Sequence, residues 1–69
     1  MAKFHQFNVV NDQGDVQNDV LIRLSEVVSA EPHFLSSGSW VYTTINLSNR
    51  TAFKVNESLE DLEDMLSLI

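Results

Sequence analysis

Apolar and polar residues alternate with a period of two along most of this chain, and the period lengthens only near its end. In "KFHQFNVV" (3–10), His5, Phe7 and Val9 share one side of an extended segment, with Phe4 and Val10 on the other. "NDQGD" (11–15) is turn-forming, and Gly14 is free to take a positive φ. "DVLIRL" (19–24) predicts a second strand, antiparallel to the first. Ser25-Glu26 then predicts a short turn and Val27-Val28 a brief strand over 27–31, since Pro32 keeps Glu31 out of the helical region. "LSSGS" (35–39) reads as a loop around Gly38. "WVYTTINL" (40–47) is almost wholly β-branched or aromatic, the strongest strand signal present, and "TAFKV" (51–55) is its hairpin partner.

The parity of that hairpin decides its loop. Directly opposed residues lie on one face of a sheet. A two-residue loop would oppose Ile45 to Lys54 and Leu47 to Ala52, splitting the apolar sets. A three-residue loop, Ser48-Asn49-Arg50, opposes Leu47 to Thr51, Ile45 to Phe53 and Thr43 to Val55. With Val41, Ile45, Leu47, Phe53 and Val55 turned to the core, Trp40, Tyr42, Thr44, Asn46 and Lys54 point away from it. Amphipathic aromatics are enriched at interfaces, so Trp40, Tyr42, Thr44 and Lys54 are candidate protein-contact residues.

The period changes at residue 58. Ser58 is a good N-cap, with Asp61 three positions on, and Leu59, Leu62, Met65 or Leu66, and Ile69 recur at helical spacing. A helix over about 59–68 is too short to be stable alone and must pack its stripe on the sheet. Its polar side is acidic: Glu57, Glu60, Asp61, Glu63 and Asp64. Glu60 and Asp61 suit the positive end of the helix dipole. Glu63 and Asp64 have no basic residue four positions on, which makes them candidate contacts for a basic partner protein. The fold expected is therefore α+β. A small antiparallel sheet of about four strands, filling a β-rich N-terminal part, is packed by one C-terminal helix in a single domain, 1–69.

Composition narrows the function. A chain of 69 residues with 43% apolar content folds, but around a thin core. It has no cysteine, so disulfides and thiolate zinc sites are excluded; a partner subunit is the remaining support, and a homo-oligomer is expected. Ten acidic residues oppose four basic ones, for a net charge of −6, so direct nucleic-acid binding is not expected. No apolar run has signal-peptide or membrane-span length, which places the chain in the cytoplasm without membrane insertion. With two glycines, neither a P-loop nor a dinucleotide fingerprint can be written. Glu31 and His33 make at most half a metal site. No catalytic residue, metal or cofactor is expected.

From its second strand the chain resembles the small flagellar FlbD-like proteins. The resemblance rests on "DVLIRLSEVVSAEP" and then "WVYTTINLSNRTAFKVNESLEDLEDML", which follow a hairpin–join–helix pattern of the type "V.TL.NG...V.ES.EEL". It covers roughly two-thirds of the chain. Arg50 stands where the pattern has the turn glycine, and the loop "HFLSSGS" is longer. The resemblance implies a sheet-and-helix scaffold without a catalytic site, a flagellar motor association and phage-encoded relatives.

Three functions are thus expected of such a chain. The first is a non-enzymatic protein-interaction module, adaptor or inhibitor, working as an oligomer through an aromatic sheet face or an open strand edge. The second is a nucleotide- or metabolite-sequestering oligomer that gathers Arg23, Arg50 and Lys54 at a subunit seam. The third is an acidic mimic of nucleic acid that blocks a basic groove.

Overall fold

The computed structural model describes residues 3–67. Five strands form one antiparallel sheet: β1 (Phe4–Val10), β2 (Val16–Arg23), β3 (Val27–Phe34), β4 (Trp40–Leu47) and β5 (Ala52–Val55). Their spatial order is β2-β1-β5-β4-β3, and a single helix, α1 (Leu59–Leu66), follows.

The expected α+β architecture is present, with five strands where about four were expected. β2 begins three residues before its expected start, because Val16 opposes Val10 and Asn18 opposes Val9 around a bulge. Leu24, expected to end that strand, opens a 3-10 turn over Leu24–Glu26. β3 runs past its expected end, through Pro32 to Phe34. An edge strand tolerates this because a proline can turn its missing N–H away from the ladder. α1 is described only to Leu66, with Ser67 after it, so Ile69 lies outside the described residues.

The β4–β5 register is the one that parity predicts: Thr43 opposes Val55 and Ile45 opposes Phe53. Leu47 N–H donates to Thr51 O at 2.8 Å and Arg50 N–H to Leu47 O at 3.0 Å, closing the three-residue loop. Such a loop ends on a left-handed residue. Here that residue is Arg50, at φ 71°. A side chain in this region costs ~1–2 kcal/mol that glycine avoids. Arg50→Gly is therefore expected to raise stability by about 0.5–1 kcal/mol, part of the gain being lost to the looser unfolded chain. Urea unfolding checks this, and a destabilised variant would mean that the Arg50 side chain holds the loop.

The short link between β2 and β3 bends the sheet. These are its two edge strands, and in a flat five-stranded sheet they would lie ~19 Å apart. Arg23 and Val27 are four residues apart, a reach of at most ~14 Å even when extended. The sheet must therefore curl until its edges approach. The 3-10 turn is bonded at both ends: Leu24 N–H donates to Lys3 O, and Ser48 N–H donates to Glu26 O, each at 2.9 Å.

The core fills the concave side of this curl. Phe7, Ile22, Leu24, Ile45, Val55 and Leu62 are buried together, with Val20, Ala30, Leu47, Phe53, Met65 and Leu66 packed around them. Ser58 caps α1 as its sequence predicts, its Oγ accepting the Asp61 N–H at 3.1 Å. Of the expected helical stripe, Leu62 is fully buried, whereas Leu59 is left 43% exposed. The helix enters the curl through one turn, not along its whole length.

Candidate functional site

The outer face of the sheet carries most of the residues that parity places there. Tyr42, opposite His33, stacks on its ring with centroids 4.7 Å apart and planes at 11°. The Lys54 ammonium lies 5.5 Å from the Tyr42 ring centre and is ion-paired with Asp12 in the β1–β2 turn. A hydrogen bond from Lys54, together with its charge, holds the Asp12 carboxyl below the usual carboxylate range; the bond to Asp12 in turn raises Lys54. Both side chains are well exposed, so this pair marks where the turn sits and adds little stability. Thr44 lies opposite Lys54 on one side and Glu31 on the other, and Asn46 donates to Ser29 Oγ at 3.1 Å.

Trp40 departs from this face. The β3–β4 ladder opposes Phe34 to Trp40 and His33 to Tyr42, so Val41 is an extra residue. A bulge of this kind re-aims the side chain beside it. The Trp40 indole N–H donates to Oγ1 of Thr43 at 3.2 Å, and Thr43 is completely buried. Trp40 thus reaches toward the core side through its indole N–H and does not share Tyr42's face, while the residue stays 36% exposed. The Trp40–Tyr42 pair expected from alternation does not form.

The remaining candidates occupy separate settings. Arg23 ends β2, its guanidinium 5.5 Å from the Phe4 ring centre. Arg50 sits in the exposed β4–β5 turn, while Lys54 belongs to the outer face. Glu63 and Asp64 are exposed on α1. His5 is half-buried with its ring edge-on to Phe7 and its Nε2 3.4 Å from Glu57. Among the described residues, no helix is long and apolar enough to cross a membrane, and no three acidic or histidine side chains converge on a metal position.

The open strand edge that the sequence reading expected, without saying which strand supplies it, is found at β2. Leu24 N–H is bonded to Lys3 O, and backbone direction alternates along an antiparallel ladder. Ile22 and Val20 therefore point their backbone groups at β1, while Arg23, Leu21 and Asp19 point theirs away from the sheet. Asp19 O takes the Asn18 side-chain amide at 3.4 Å. Leu21, 65% exposed, is among the most exposed large apolar residues. Beside this edge runs a groove of about 220 Å³, bounded by Val20–Arg23 on one side and by Glu26, Leu47, Ser48, Asn49 and Phe53 on the other. The signal was there in "DVLIR": an apolar residue on the outer parity, flanked two positions away by opposite charges.

No family model, curated protein or solved structure matches the chain.

Proposed function

We propose that the chain is a non-enzymatic protein-interaction module that receives a strand of its partner on the free edge of β2. The observation that carries this reading is the outward-facing backbone of Asp19, Leu21 and Arg23 alongside an open groove. An unpaired edge supplies main-chain hydrogen bonds for affinity, and the neighbouring groove supplies side-chain selection. The groove is small for a metabolite site, since such sites usually exceed ~300 Å³. The outer-face cluster of Tyr42, His33 and Lys54 is a flat surface that a docked partner could also cover. The FlbD-like resemblance fits a scaffold used for contacts rather than chemistry.

Leu21→Pro is the discriminating variant. The Leu21 N–H does not bond β1, so proline there removes an outward donor and leaves the internal ladder intact. Affinity capture from the native host is expected to recover a partner with the wild-type chain and to lose it with the folded variant. A partner held equally by both would move the interface elsewhere.

A further inference from the structure

Resting on that edge reading, we infer that the strand received by β2 is β2 of a second copy of this chain, paired antiparallel about Leu21. Copies related by a two-fold axis through an antiparallel pair must oppose one residue to itself, because bonded and non-bonded pairs alternate along the ladder. Only a few centres are available in β2. Centring on Asp19 opposes two carboxylates, and centring on Val20 or Ile22 sets a charged residue against Leu21. Centring on Leu21 sets Leu21 against itself, Val20 against Ile22 twice, and Asp19 against Arg23 twice.

That register agrees with the backbone. Leu21 faces outward, so the pair on the axis exchanges two main-chain hydrogen bonds, and the outward Arg23 N–H meets Asp19 O of the second copy, while the Arg23 carbonyl closes its own 3-10 turn. It also agrees with the faces. Asp19 and Arg23 lie with Leu21 on the outer side, opposite Asn8, Phe4 and Gln6 of β1. Asp19 accepts from Gln6 through Oδ2 at 3.0 Å, leaving Oδ1 for the guanidinium of the second copy. The Val20–Ile22 pairs fall on the core side, along the groove walled by Leu47 and Phe53. The other edge is ill-suited: Pro32 takes a donor out of the outer border of β3, and bulges break its register at both ends.

A charge swap tests the register. Wild type, Asp19→Arg, Arg23→Asp and the double variant are compared by sedimentation over a concentration series, with circular dichroism establishing that each is folded. The wild-type chain is expected to reach twice its 7.8 kDa mass. Each single change sets like charges opposite each other twice and is expected to weaken the dimer at least about tenfold, whereas the double variant restores the pairing to within about threefold. Leu21→Lys, which opposes two ammonium groups on the axis, is expected to give a folded monomer. A wild type that stays monomeric overturns the inference, as do single variants that dimerise normally or a double variant that fails to recover. A monomeric wild type leaves strand addition itself standing, which the capture experiment with Leu21→Pro decides separately.

Discussion

Replacing Phe7 with alanine is expected to unfold most of the protein at room temperature. Phe7 is fully buried in one cluster with Ile22, Leu24, Ile45, Val55 and Leu62, a cluster that draws on both halves of the sheet. The backbone seam between those halves is short. β1 meets β5 at Val9 opposite Val55, with one further bond from Asn56 N–H to Asn8 O at 3.1 Å. The β1–β2 hairpin is therefore held on mainly by side-chain packing. Truncating a buried phenylalanine costs ~3–5 kcal/mol. A chain of this size has only about 3.5–10 kcal/mol in total. Urea unfolding followed by far-ultraviolet circular dichroism reads the result, and a loss under about 1 kcal/mol would show that the seam holds without Phe7.

The second large effect is expected from Gly14→Ala. The β1–β2 turn is tightly organised: Asn11 Oδ1 accepts the N–H groups of Gln13 at 2.9 Å and Asp15 at 3.0 Å. Gly14 N–H donates to Asn11 O at 2.9 Å, with Gly14 at φ 87°. A Cβ at this position would sit 3.0 Å from Val41 O and 3.3 Å from Val41 Cγ1. The first of these is backbone, so the turn and Val41 must move apart by a few tenths of an ångström to make room. Left-handed strain and the displaced contact together are expected to remove about 1–3 kcal/mol. An unchanged urea midpoint would mean that the turn is not seated on Val41 in solution.

Side-chain parity carried most of what could be read before the structure. The β4–β5 register followed from two apolar sets that had to share a face, and Ser58 announced the helix because few residues can cap its first amides. Parity fails where one residue is inserted. The bulge at Val41 turned Trp40 from the outer face onto Thr43, and no local composition marks a bulge that a partner strand imposes. The curl was hidden for a different reason. It follows from which strands are neighbours and how short the Leu24–Glu26 link is, and neighbour order is a property of the whole chain. The edge at Asp19, Leu21 and Arg23 was hidden with it, since a strand is an edge only once every other pairing is known.

Pro32 bears on how far association can run. Leu47 N–H bonds Thr51 O, so by alternation Thr43 directs its backbone to β5, and Pro32 opposite it faces outward. The outer border of β3 thus lacks a donor in its middle, and its register is broken near either end. A sheet with two competent borders grows without limit, each added copy presenting a fresh one. On the inferred β2–β2 pairing, one border accepts and the other terminates, so assembly through strands is expected to stop at a closed pair and not to extend into fibres.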